Sequence, residues 1–239
     1  MRSQTLAKFL KILRERSTLG KVRKQEIQKP SSPKDGHLSA KTTFSYLTDK
    51  NLELRTKVSY HDIYDNDNGY ISGGYISFFD TAIEYRDEKL QLKEINFLDI
   101  KSYAIQDSIF KPISWEVSLG GTRIFNNELY SYLKAGAGVT LGKDNFYGYT
   151  TITPTIYYKR NSEKSLSINS GILYNPSKHL KFGLQGSKEW FKEKREIEKI
   201  EPFFTYSFDQ ESAINLKYTY KDLDGLKERE ASLSWFWYY

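Results

Sequence analysis

The chain has 239 residues, enough for one domain or a small pair, and its 15 % aromatic content includes 19 tyrosines. It has no cysteine, which excludes a disulfide framework and any thiolate site, and its three histidines are scattered, so no structural zinc site and no cofactor is expected. The net charge of +6 is local: nine Lys or Arg against two Glu fall in residues 1–29, and the remainder is close to neutral, which argues against a nucleic-acid partner.

Residues 1–35 differ from the rest. Leu6, Phe9, Leu10 and Leu13 recur at helical spacing among Lys8, Lys11, Arg14 and Arg16, and Gly20 is placed to end such a helix. A basic helix of this kind either touches anionic lipid or docks on a neighbouring domain or barrel end. Lys29–Gly36 reads as a linker. The apolar stretch at the start is broken by charges and does not read as a secretory signal.

From residue 36 onward the period becomes two. Leu52, Leu54 and Val58 alternate with Glu53, Arg55 and Lys57; Trp115, Val117 and Leu119 alternate with Glu116, Ser118 and Gly120. The same alternation runs through Leu129–Leu141, Leu166–Ile172, Leu180–Gln185 and Ile214–Thr219. Clusters rich in Asp, Asn, Pro and Gly separate these runs, among them Asp65–Gly69, Asn126-Asn127, Asn175–Lys178 and Asp222–Gly225. The apolar phase shifts near Lys93-Glu94, as it would at a bulge. Residues 36–239 are therefore expected to form about twelve strands, with ten as the alternative count. All connections are short, so no large plug loop and no large extracellular loop is expected. Trp190–Lys199 is the one connection with substantial charge.

The last eight residues decide what the apolar face meets. Leu233, Trp235, Trp237 and Tyr239 share one face of a strand. In a soluble protein such an edge invites aggregation, whereas in an outer-membrane barrel the face lies in lipid and the aromatics form the interface girdle. The mean hydropathy of −0.64 does not oppose this, since a barrel puts only alternate residues in lipid. No run of 18 apolar residues exists, so no transmembrane helix is expected. The fold expected is an all-β, antiparallel transmembrane barrel with a short N-terminal helix. Trp115, Trp235, Trp237 and Tyr239 are the expected membrane-interface aromatics, and Arg55, Lys57, Glu116, Arg123, Lys134 and Lys181 the expected lumen charges.

The densest polar cluster is Tyr60–Tyr70, Tyr-His-Asp-Ile-Tyr-Asp-Asn-Asp-Asn-Gly-Tyr. His61 beside Asp62 is a candidate general base with its orienting acid. The Asp/Asn run offers oxygen ligands for calcium, without the bidentate Glu of an EF-hand. The alternative is a turn in which Asp and Asn cap the backbone, with His61 holding turns together. A Ser–His lipase pair would have to use His37, His61 or His179, and no Gly-x-Ser-x-Gly elbow is present. The residues favour a barrel without chemistry of its own.

Leu13–Ser17, Gly36–Ser39, Tyr60–Asp65, Gly69-Tyr70, Phe78–Asp80 and Phe110–Trp115 occur in an order and spacing that resembles the C-terminal half of a family of Gram-negative envelope proteins. Members of that family pair an Lnb-type N-terminal periplasmic domain with a transmembrane barrel. The resemblance is densest over residues 36–115. It implies a barrel in the bacterial outer membrane, with the basic helix as part of an interdomain connection, and a sequence that is the barrel half of a longer protein. The partners implied are outer-membrane lipid, the outer-membrane assembly machinery and a periplasmic domain or protein. A narrow passive pore and a lipid-modifying enzyme are the other readings.

Overall fold

The computed structural model describes residues 2–20, 31–125, 127–192 and 194–239. Lys29 and Pro30 of the expected linker, Asn126 of an expected turn and Glu193 of the charged Trp190–Lys199 segment lie outside them. The chain divides into two units, residues 1–30 and 31–239. The first contains helix α1 (Arg2–Thr18), whose last turn is tied by Ser17 Oγ to the Arg14 carbonyl and Thr18 Oγ1 to the Glu15 carbonyl, each at 2.7 Å.

The second unit is a closed antiparallel barrel. Its strands are β1 (Lys41–Leu47), β2 (Leu52–Lys57), β3 (Ser59–His61), β4 (Gly74–Arg86), β5 (Lys89–Ser102), β6 (Ile105–Gln106), β7 (Ser114–Ile124), β8 (Glu128–Lys143), β9 (Phe146–Tyr158), β10 (Ser162–Ser177), β11 (Leu180–Phe191), β12 (Glu196–Ser207), β13 (Ser212–Leu223) and β14 (Leu226–Tyr238). β2 and β3 both pair with β4 and act as one bent strand, and β6 is a two-residue piece beside β8. The wall therefore has twelve staves. It closes where β1 meets β14, from Lys41 opposite Tyr238 to Leu47 opposite Ser232. Closure removes the free edges that an aromatic C-terminal strand would otherwise expose.

Side-chain alternation fixes which face is which. Leu52, Leu54, Leu133, Ile152, Ile168 and Leu216 are exposed on the outer face, while the Glu, Lys, Ser and Thr between them point inward. The outward apolar belt and the polar interior are the pattern of a barrel whose solvent outside is lipid. The phase shift near Lys93 is a bulge. Ala82 pairs with Glu94 and Ile83 with Leu92, leaving Lys93 extra. It lets the consecutive residues Lys93 and Glu94 both reach interior partners, Glu53 and Arg55. A second bulge beside Phe97 restores the alternation, so that Asp99 and Lys101 again line the interior.

Glycines on the inner face make room for rings. A side chain at Gly183 would land on the Phe203 ring, and one at Gly171 on Tyr149. The second unit includes Ser31–Gly36, where Pro33–Asp35 forms a 3₁₀ turn with a Ser32–Asp35 capping box that packs on the barrel end.

Candidate functional site: a charged plug across one end of the barrel

The site is the end of the barrel where β1 starts and β14 ends. The connection from β3 to β4, residues 62–73, folds into the lumen there and does not trail into solvent. The loop is short, and it suffices because the lumen is narrow.

The loop builds itself from its Asp and Asn residues. Asp62 Oδ1 accepts from the Tyr64 amide at 2.9 Å, Asp65 Oδ2 from the Asp62 amide at 2.8 Å, and Asn66 Oδ1 from the Asn68 amide at 2.9 Å. These are the backbone-capping turns expected of such a run. Gly69 holds φ +81° where any side chain would collide with the Gly36 nitrogen.

The same carboxylates reach the wall. Asp65 is fully buried and takes Lys41 Nζ at 2.5 Å, Lys57 Nζ at 2.7 Å and the Tyr238 hydroxyl at 2.8 Å. Asp62 takes Lys41 at 2.7 Å and Lys57 at 2.9 Å. Asp67 takes Lys181 Nζ at 2.6 Å, Asn175 Nδ2 at 2.9 Å and His61 Nε2 at 3.0 Å. Lys181 also donates to the Asp65 carbonyl at 2.7 Å. Thr205 Oγ1 donates to the Tyr64 carbonyl at 2.8 Å, and the Tyr64 hydroxyl bonds Glu201. The plug is thus held from β1, β2, β10, β11, β12 and β14. Three lysines balance three aspartates, as burial of charge requires.

Beneath this network lies a packed apolar and aromatic layer of Ile63, Tyr75, Tyr103, Tyr147, Tyr149, Leu173 and Phe203. Tyr103 stacks on Tyr149 with centroids 3.9 Å apart and gives its hydroxyl to Glu116 at 2.9 Å. From outside, the 31–37 segment covers the loop. Gly69 N–H donates to Ser31 Oγ at 3.0 Å, Asn68 Nδ2 to the Asp35 carbonyl at 2.8 Å, and the Tyr70 hydroxyl to the His37 carbonyl at 2.7 Å.

The electrostatics follow from the pairing. Burial opposes ionisation of Asp65, yet Lys41 and Lys57 overcome it and hold the carboxyl well below its usual range. Burial also raises Asp67, but Lys181 and His61 bring it down to about 2. Burial lowers His37 to about 4 against the opposing pull of Asp65, so its ring is neutral near pH 7.

The remaining lumen is a cavity of about 820 Å³ that runs from Asp62 and Tyr64 at the plug to Thr48, Asn127 and Arg229 at the far rim. Its wall is laced with ion pairs. Arg55 bridges Asp80 at 3.0 Å and Glu94 at 2.9 Å, and Lys93 reaches Glu53 at 2.8 Å. An apolar group of Ile124, Phe125, Tyr132, Tyr157, Phe191 and Ile197 fills part of the interior near the far rim.

Of the residues singled out from the sequence, Arg55, Glu116, Arg123 and Lys134 line this cavity, and Lys57 and Lys181 point inward to grip the plug. Trp115, Trp235, Trp237 and Tyr239 lie exposed on the outer face. His61 and Asp62 do not pair. Neighbours on an extended chain point apart, and the carboxylate at His61 is that of Asp67, while Asp62 serves the lysines. The Asp/Asn run is likewise committed to lysines and backbone amides. His179 bonds the Ser207 carbonyl at 2.9 Å and stacks on Tyr206, apart from the plug. His37, a candidate histidine in the sequence, meets His61, a pairing the sequence does not signal, and sequence reasoning missed Lys41, Tyr64 and Tyr238. Their partners are far off in the chain, and only the inward parity of Lys41 and Tyr238 pointed to them.

Residues 30–238 match the model of a family described as a domain of unknown function, DUF7840. The chain belongs to this family. No curated protein matches it in sequence. Among solved structures it is similar to the NanC porin, with a TM-score of 0.53 at 10 % identity over 84 % of this chain and 100 % of that one. It is also similar to the KdgM porin solved in complex with disordered oligogalacturonate, with a TM-score of 0.50 at 8 % identity over 84 % and 99 %. At such identities the likeness is one of fold: a porin-like β-barrel.

Proposed function

We propose that this chain is an outer-membrane barrel that serves as the membrane base of a periplasmic domain and does not act as a passive pore. The observation that carries the reading is the plug: a loop pinned by buried ion pairs from β1, β2 and β11 and by hydrogen bonds from β10, β12 and β14, and covered by residues 31–37. The covered end is also the end at which both ends of the barrel sequence emerge, with the Ala40 amide bonded to the Tyr239 carbonyl at 3.1 Å. In a bacterial barrel that end faces the periplasm, so the seal and the point of attachment coincide. The resemblance of residues 36–115 to the barrel half of Lnb-type envelope proteins supports the same arrangement. Outer-membrane lipid would meet the Leu/Ile belt, and the assembly machinery would read the aromatic last strand.

The test is conductance in a planar bilayer. The intact chain is expected to insert and stay silent. A variant with residues 62–72 replaced by a short Gly/Ser turn is expected to conduct in steps. Stepwise conductance of the intact chain would overturn the reading in favour of a narrow pore, the alternative that the polar 820 Å³ lumen and the porin-like fold support.

A further inference from the structure

The fold brings together two of the three histidines, 24 residues apart, in a geometry that needs a cation. His37 Nδ1 lies 2.7 Å from the Leu38 carbonyl, which can only accept, so that nitrogen carries the proton. His61 Nε2 lies 3.0 Å from Asp67 Oδ1, a carboxylate that accepts from Lys181 and Asn175 as well, so that nitrogen carries the proton too. A neutral imidazole has one N–H. The other two nitrogens, His37 Nε2 and His61 Nδ1, therefore turn lone pairs toward each other at 2.9 Å. Asp65 Oδ2 stands 3.8 Å from His37 Nε2, and the three donor atoms all lie within 4.8 Å of one another.

We infer that His37, His61 and Asp65 form a binding site for a zinc-class divalent transition-metal ion. Zinc held at about 2.0–2.2 Å by nitrogen and oxygen ligands spaces adjacent donors roughly 3.3–3.5 Å apart, and the 2.9 and 3.8 Å separations bracket that range. Imidazole donors suit zinc, copper and nickel, whereas magnesium and calcium want oxygen. Each histidine gives its one N–H to a carbonyl or carboxylate, the arrangement that fixes tautomer and ring plane in metal sites. The rings are clamped in place: Tyr70 stacks on both, at 4.5 Å from His37 and 4.3 Å from His61. Asp65 is shared with Lys41 and Lys57, but both lysines also hold Asp62, so Asp65 can turn an oxygen toward the ion without stranding either. The ion would join the segment ahead of β1 to the plug, a staple independent of whether the lumen conducts.

The test uses the full chain refolded in detergent, stripped with chelator and titrated with Co²⁺, then displaced by Zn²⁺. The expected result is a visible d–d absorption that saturates at one Co²⁺ per chain. His37→Ala and His61→Ala should each weaken binding at least tenfold, while His179→Ala binds as the parent does. Heat-shifted gel mobility confirms that each variant is a closed barrel, and His37 lies outside the strands, so its variant decides the matter if His61→Ala does not fold. No cobalt spectrum from the parent chain, or unchanged binding by the His37 variant, overturns the inference. The nitrogen pair would then share a single extra proton.

Discussion

Lys181 Nζ meets Asp67 Oδ1 at 2.6 Å, with the lysine wholly buried, and this contact fastens the loop after β3 to β11 on another part of the wall. Removing one partner of a buried pair strands the other charge, at a cost of about 3–5 kcal/mol. Lys181→Met should leave the barrel closed, because the ladders of β10, β11 and β12 do not involve this side chain. Amide exchange should quicken across residues 62–73 and stay slow in β9. Uniformly slow exchange in both would show that the plug does not rely on the pair.

Gly69→Ala tests the backbone rather than the charges. The left-handed φ costs a non-glycine residue about 1–3 kcal/mol, and the added methyl meets the Gly36 nitrogen. Residues 31–37 should lift, so that trypsin cuts after Lys34, whose side chain is already exposed but whose peptide is fixed in the capped 3₁₀ turn. Resistance equal to the parent's would mean that the cover does not rest on the loop.

Ile152 lies mid-strand on the outer face of β9. In lipid, Ile152→Arg should destabilise the barrel by about 2–4 kcal/mol, read from a urea transition in bilayers. The same change on a water-facing surface alters stability by about 0.5 kcal/mol or less. A change within that smaller range would remove the membrane assignment.

Gly183→Val drives a branched side chain into the Phe203 ring and the Leu173 methyl. Overpacking of this kind costs about 1–3 kcal/mol. The midpoint of unfolding should fall accordingly, and the double variant Gly183→Val with Phe203→Ala should recover part of the loss. Absence of any recovery would place the strain elsewhere.

The wall was legible in the sequence because its signal is local. Leu52 to Lys57 alternates residue by residue, and the break at Lys93-Glu94 sits where the ladder carries its extra residue. The lumen charges followed from the same parity. The plug was not legible, because its logic is non-local: Asp67 finds Lys181 114 residues away and Asp65 finds Tyr238 173 residues away. A run of Asp and Asn reads equally as a solvated turn until closure puts lysines around it. In the sequence His61 stands beside Asp62 as a candidate pair or as a residue that holds turns together, and extended geometry turns it to Asp67. Ser32 and Pro33 suit a linker and a capped 3₁₀ turn alike, so the turn is not legible from residue types alone.

The seam between β1 and β14 sets an order of events. Thr42 and Tyr239 come together from positions 197 apart, so this pairing must wait until the final strand is made and carries a large ring-closure entropy. Asp65 needs Lys41 from the first strand and Tyr238 from the last, and it finds both only once that seam has zipped. Burying the loop is therefore a terminal step of maturation. A chain cut short before Tyr238 loses a bond to Asp65 together with part of the seam, so the wall and its seal are completed by the same residue.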